Sequence, residues 1–534
     1  MGNRNTSPLP IETTFKLQTQ LPTWPQGTGF GTGVIDLGGL QVTQITTFNK
    51  VWATPQGGPD NLGATFYEPS SIPQGFFMLG TYSQSNNKPL YGSVLVAKDV
   101  SNAKILEKPT DYTLVWNNNQ GGTGYIWLPT PPQGYKSVGH VVTTSSEKPS
   151  VDKIRCVRSD FTEVTEIDAW IWGLKKEADP SGFNVYGSKP AKRGTQGLGV
   201  PIGTFIVQNN GTAGLLECLK YVHPNFSAMP NLDHIQTLMK NYSPLVYFHP
   251  DEEYLPSSLK WFFENGALLY TKGDESQPIP ITPPAGSNLP QGGSNDGAYW
   301  IGQPTNESFR KGNLATVESY VNVKPMFGGT FTDLAIWIFY PFNGPARATV
   351  AGLTIPLGQI GEHQGDWEHV TLRISNFSGE LRSVYLSTHS NGIWASVPEL
   401  EYQSTSNKPV VYSSLHGHAM YPKAGLVLQG NAAIGLKNDT AKSKNVMDTG
   451  VSFEIISGEY LSIVEPAWVN YYREWGPRIS YNTATEISKV QQNLPQNLRS
   501  SFASFVNSLP DEILGEVGPT GPKMKSSWSG DEKV

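Results

Sequence analysis

The sequence is poor in cysteine, in positive charge and in long apolar runs. Its two cysteines, Cys156 and Cys218, are too few for the disulfide framework of a small secreted protein, and a reducing compartment fits that usage. Lys and Arg number 39 against 45 Asp and Glu, a net charge of -6, so no general basic field exists to hold a phosphate backbone and nucleic acid is excluded as a main partner. The longest apolar run, Leu334 to Tyr340, falls far short of the roughly 20 residues that span a bilayer. The first residues, MGNRNTSPLP, lack the apolar core of a signal peptide. The expectation is a cytoplasmic or peripheral membrane protein with no transmembrane segment. Gly2 followed by Thr6 fits the N-myristoylation pattern once Met1 is removed, which makes Gly2 a candidate lipid anchor, although one acyl chain alone gives only marginal membrane affinity.

What is abundant points to strands and turns. The chain carries 55 Gly and 41 Pro together with 14 Trp, 23 Tyr and 22 Phe, a profile of many short strands rather than of coiled coils, helical arrays or disorder. Three aromatic signatures repeat: Val51-Trp52, Val115-Trp116 and Ile171-Trp172. Each precedes an apolar residue and a glycine, in Leu79-Gly80-Thr81-Tyr82, Val138-Gly139-His140-Val141 and Ile202-Gly203-Thr204-Phe205. Units of roughly 60 residues cannot bury their own apolar faces and should pack about a common axis. The reading is a three-repeat, β-prism-like domain over 14–225, after a flexible N-terminus at 1–13.

From Ala228 the pattern changes. Leu232, Ile235 and Met239 recur at helical spacing behind an Asn231 cap, and a second helix is expected behind Ser257, presenting Leu259, Phe262 and Phe263 and stopping at Gly266. The remainder of 226–480 reads as a second β-rich, β-sandwich-like domain with peripheral helices. A C-terminal helix within 481–515 carries the stripe Leu498, Phe502, Phe505, Val506 and Leu509, which docking on the second domain accounts for. The last stretch, 516–534, reads as an extended tail.

One segment carries chemistry: Gly361-Glu-His-Gln-Gly-Asp-Trp-Glu-His-Val370. Strand alternation puts Asp366 and Glu368 on the same face as Val370, Leu372 and Ile374. Two carboxylates that extend an apolar column need a cation, a basic partner or a shared proton. A divalent metal satisfies both, with His363 as a third ligand and oxygen donors favouring calcium, magnesium or manganese; a salt-bridged cluster using Arg373 or a lysine is the structural alternative. His369, His389, His416 and His418 are candidates for a ligand cleft beside it. In His416-Gly417-His418 both rings would share one face of an extended strand.

The stretches LPTWPQGTGFGTG, GYIWLPTPPQGYKSVGHVV, YFHPDEEYLPSSLKWFF, GEHQGDWEHVTLRI and EVGPTGPKMKSSWSGDE resemble plant members of the vacuolar protein sorting-associated protein 62 family over nearly the whole chain. The strand Ala335-Ile-Trp-Ile-Phe-Tyr-Pro341 followed by His363, Asp366 and Glu368 is also similar to the core of necrosis- and ethylene-inducing cytolysins. That second resemblance implies a divalent cation at His363, Asp366 and Glu368 that helps engage sphingolipid headgroups. A further acidic ligand of the cytolysins falls at Asn343, and the second histidine of their heptapeptide is Gly365 here.

These readings predict a non-enzymatic, toxin-like binding protein with a calcium or magnesium site. Its partner would be a glycan or a membrane lipid headgroup, with a membrane receptor as a further candidate. By fold analogy with crystal toxins its role would lie in plant defence, including an insecticidal one. Two other classes stay open. One is an endomembrane or vacuolar sorting adaptor; the other is a metal-dependent hydrolase built on Asp366, Glu368 and nearby histidines, for which no Gly-x-Ser-x-Gly, His-Glu-x-x-His or phosphate loop is present.

Overall fold

A computed structural model describes residues 14–86, 88–118, 123–214, 216–303, 307–389, 391–430, 434–478, 481–492, 494–509, 514 and 518–534. Gly2 and the stretch 1–13 lie outside them. The protein is mainly β, built from several open sheets with a few peripheral helices.

In the first body the three signature tryptophans meet. Ring centroids are 5.5 Å apart for Trp52 and Trp116, 5.6 Å for Trp52 and Trp172, and 5.2 Å for Trp116 and Trp172. Each sits on a strand with a register shift beside it. Across these hairpins Lys50 and Trp52 face Tyr67 and Phe66, Trp116 and Leu114 face Ile126 and Trp127, and Trp170 and Trp172 face Tyr186 and Val185. The extra residue is therefore Val51, Val115 or Ile171. A β-bulge puts two consecutive residues on one side of a strand, which explains why each signature is an apolar pair and why both members join one core with Phe66, Phe183 and Phe205. Below them Leu79, Val138 and Ile202 share a second core. There the backbones of Gly80 and Gly139 approach so closely that a Cβ on either would lie 2.8 Å from the other's Cα.

The second body is organised on a six-stranded sheet. Its order is Asn391–Ser396, Leu381–Thr388, His363–Ser375, Phe331–Asn343, Ser319–Met326 and Phe453–Ser457. Period-two alternation sorts its central strands cleanly. Leu334, Ile336, Ile338 and Tyr340 face one core with Val370, Leu372 and Ile374, under the helix Leu232–Tyr242 and the strand Leu245–Phe248. Ala335, Trp337, Phe339 and Trp367 face an aromatic core with Phe262, Trp468 and Trp475. The cap of the short helix Leu259–Glu264 is Ser258, whose hydroxyl accepts from the Trp261 N–H, one residue beyond the expected Ser257.

Three segments depart from the sequence reading. Phe15, Leu17, Leu21 and Trp24 pack on the second body's core, and the Trp24 indole donates to the Ser378 carbonyl at 2.9 Å, so this leading segment belongs with the second body although it precedes the first. The C-terminal helical region is two helices, Thr483–Gln492 and Gln496–Val506, whose apolar residues pack with Ala348, Val350 and Leu436 of a smaller sheet. The tail is not a free extended strand. It makes a 3-10 turn at Pro522–Met524 and a further series of turns, and its end is anchored deep in the protein. The buried Glu532 carboxylate accepts from Thr371 Oγ1 at 2.6 Å and contacts His369 Nε2 at 3.0 Å and Lys324 Nζ at 3.2 Å. Asp531 bridges Arg373 of the second body and Arg193 of the first, at 2.7 and 2.8 Å. Local sequence cannot announce such an anchor, because the partners lie far away in the chain.

Candidate functional site

The long strands Phe331–Asn343 and His363–Ser375 pair in antiparallel register, with Tyr340 opposite Asp366, Ile338 opposite Glu368 and Asn343 opposite His363. This register brings Asn343, His363, Asp366 and Glu368 to one small cavity of about 30 Å³, which His389 and Gly417 also line. By volume it takes a water or two, or one ion. Asp366 and Glu368 are 5% and 6% exposed, so both carboxylates are nearly dry.

Each side chain is held in a definite way. His363 Nδ1 lies 2.8 Å from the Gly365 carbonyl; a carbonyl only accepts, so the proton is on Nδ1 and Nε2 keeps its lone pair, the arrangement a metal-binding imidazole uses. The Asn343 amide nitrogen donates to the Gly361 and Gly344 carbonyls, at 2.7 and 3.1 Å, which assigns its oxygen as the remaining acceptor. Glu368 accepts from the Ser387 hydroxyl. Asp366 Oδ2 lies 3.0 Å from His418 Nδ1, while His418 Nε2 is 3.0 Å from the Tyr254 carbonyl and the ring stacks on Tyr340 at 3.8 Å. Burial pushes the Asp366 carboxyl up, but the His418 hydrogen bond and the charges of His363, His418 and Lys525 outweigh it and hold the group below its usual value. Three oxygens and one imidazole fit a hard divalent cation. Among the described residues no three His, Cys, Asp or Glu side chains already converge as a preformed metal cluster.

The four cleft histidines are not equivalent. His389 lines the cavity. His418 is fully buried behind Asp366. His416 stands on Glu252, which accepts its backbone N–H at 2.6 Å. Residues 414–419 form a turn, with His416 and His418 at φ 69° and 54°, so the two rings do not share a strand face. His369 points to the opposite side of the sheet, stacked on Trp337 at 4.2 Å and bound to Glu532; the alternation that pairs Asp366 with Glu368 excludes it from their cavity. Glu252 was not legible as part of this site. Burial raises its carboxyl, yet hydrogen bonds from His416 and the charge of His418 bring it below its usual value. The only pointer was its place in YFHPDEEYLP, a stretch with no chemical pattern of its own. Gly365, where the cytolysins carry histidine, adopts φ 68°, and a Cβ there would lie 2.3 Å from the Trp475 carbonyl oxygen, so a side chain does not fit.

Fold and site together define a mainly β, two-body protein with a dry carboxylate pair at a histidine-lined cavity. The chain matches the family model of vacuolar protein sorting-associated protein 62 over residues 11–532, and it belongs to that family. No curated protein matches it. Among solved structures it is similar to GNIP1Aa from Chromobacterium piscinae (18% identity, 38% of this chain and 40% of that chain, TM-score 0.30). It is also similar to Necrosis and Ethylene inducing Protein 2 from the causal agent of cocoa's Witches Broom disease (13% identity, 35% and 67%, TM-score 0.20). A third is NLPPya in complex with glucosamine (11% identity, 49% and 96%, TM-score 0.24). Likenesses this partial do not assign a function.

Proposed function

We propose that this protein is a non-enzymatic, toxin-like binding protein that holds calcium or magnesium through His363, Asp366, Glu368 and Asn343 and uses the site to engage a glycan or a membrane lipid headgroup. The observation that supports it is the single cavity onto which these four residues open, with His363 Nε2 and the Asn343 oxygen left as ligand atoms by their other hydrogen bonds. A bound cation would neutralise two nearly dry carboxylates and leave open positions for sugar hydroxyls or headgroup oxygens. A defence role, including an insecticidal one, and a membrane receptor as partner belong to this reading. The family's description favours a vacuolar sorting adaptor as the second reading.

The test is calorimetric titration of chelator-treated protein with calcium and with magnesium, followed by glycan and lipid arrays with and without the ion. Stoichiometric binding that disappears in Asp366→Ala, with array signals that need the ion, is the expected result. Absence of binding for both ions, together with a melting temperature that ignores them, overturns the metal site; capture of endomembrane coat components in its place supports the adaptor.

A further inference from the structure

The smaller sheet under the two C-terminal helices has the order Leu353–Pro356, Arg347–Val350, Ile434–Thr440 and Gly425–Gly430. Its two edges are not alike. The first is four residues long and ends in Pro356, which has no N–H to offer and blunts the edge. The second, Gly425-Leu-Val-Leu-Gln-Gly430, holds neither charge nor proline and runs against Ile434–Thr440 without a register shift. Among the described residues no strand pairs with its outer side. Leu426 and Val427 are 51% and 39% exposed. An edge strand directs alternate N–H and C=O groups outward, and an apolar, unbulged one is a template for a further strand.

The strand's own sequence indicates what pairs with it. Read outward from Val427 in both directions, Leu426 matches Leu428 and Ala424 matches Gly430, and only Gly425 and Gln429 differ. A two-fold contact places one patch against itself and needs such a self-matching stretch. We infer that Gly425–Gly430 is a self-association edge, to which a second copy of this chain adds the same strand, antiparallel, about a two-fold axis through Val427. Leu426 then stands opposite Leu428 of the second copy and Val427 opposite its counterpart, all apolar cross-strand pairs. No like charges meet. The two copies of Lys423, exposed just outside the strand, fall at opposite ends of the pairing. On the neighbouring strand Asp439 stands beside Leu426 and Lys437 beside Leu428, so each row across the axis carries one acid and one base. A single six-residue strand falls short of the roughly 1,600 Å² of a standard interface, so the dimer depends on concentration. The inference does not depend on a cation at the site described above.

The experiment is sedimentation velocity of the full chain over a micromolar concentration series. The wild type is expected to pass from monomer to dimer as concentration rises. Val427→Lys, at an exposed position, sets like charges face to face on the axis and is expected to weaken association at least about tenfold with an unchanged melting temperature; Val427→Asp does the same. An equimolar mixture of these two variants restores the dimer, because opposite charges then meet across the axis. Leu353→Lys, on the blunted edge of the same sheet and 63% exposed, leaves the dimer as it is. A wild type that stays monomeric, a Val427→Lys variant that associates as well as the wild type, or a mixture that stays monomeric overturns the self-association edge. Growth beyond the dimer, or loss of association in Leu353→Lys, identifies head-to-tail pairing of unlike edges and overturns the two-fold arrangement.

Discussion

Glu532 shows how much of this molecule rests on one side chain. Its carboxylate is buried among Lys324, His369 and Thr371. Burial raises its pKa, but the charges of Lys324 and His369 and the hydrogen bonds from His369 and Thr371 outweigh that and hold it far below the usual carboxylate range. A depressed pKa in the folded state means that the stability is fully present above the unfolded value of about 4.3 and is lost as pH falls below it. Glu532→Gln leaves Lys324 without its counter-charge, and we expect a loss of about 3–5 kcal/mol, with a shallower fall in stability below about pH 4 than the wild type shows. Denaturant unfolding across pH measures both; equal slopes would show that the carboxylate is not ionised in the folded protein. The Asp366–Glu368 column could be read from period-two alternation because its members are neighbours. Glu532 could not, since its partners are brought to it only by the fold.

At the scale of elements, the three aromatic signatures were legible as strands and the bulges inside them were not. Val51-Trp52, Val115-Trp116 and Ile171-Trp172 read as strand signatures, but strict alternation would send one member of each pair to solvent. The bulges return both to one core, and a bulge leaves little trace in sequence beyond two adjacent apolar residues. The glycines report the same convergence from the other end. A Cβ on Gly139 would stand 2.6 Å from the Leu79 carbonyl oxygen and 2.8 Å from the Gly80 Cα, both backbone atoms that cannot turn aside. Gly139→Val is therefore expected to destabilise the first body by about 1–3 kcal/mol or more through overpacking. Gly187→Ala, in the same body at a position with no positive φ and only an ordinary 3.4 Å contact for the added Cβ, is the comparison and is expected to change stability by no more than about 0.5 kcal/mol. If the two variants melt alike, the backbones of Gly80 and Gly139 do not approach as described. The turn at 414–419 is the converse case: His-Gly-His fits a strand by pattern, and only its hydrogen bonds, Ser414 N–H to the Ala419 carbonyl and His418 N–H to the Ser414 carbonyl, show that it reverses.

For the whole molecule, the sequence reads 14–225 and 226–480 as two domains, whereas the structure laces the two parts together at both ends. The segment carrying Phe15, Leu17, Leu21 and Trp24 packs on the second body, Phe377 of the second body enters the core of the first, and Asp531 joins Arg193 to Arg373. A fragment ending at residue 225 would thus leave four large apolar side chains without their partners, and a fragment of 34–225 is expected to be the more soluble and the more cooperative of the two. The tail acts on the second body more than on the first. Without 518–534, Lys324 loses the Ser527 carbonyl and Glu532, and the strand that carries it loses the segment packed over it. Arg373 keeps its paired hydrogen bonds to Asp333 at 2.9 and 2.8 Å, so that site survives. In the first body Arg193 gives up Asp531 but keeps Glu166, a loss at a partly exposed position. Scanning calorimetry of the chain without 518–534 is expected to show a lowered transition for the second body, separated from a little-changed one for the first. A single transition at the wild-type temperature would mean that the tail is a passenger.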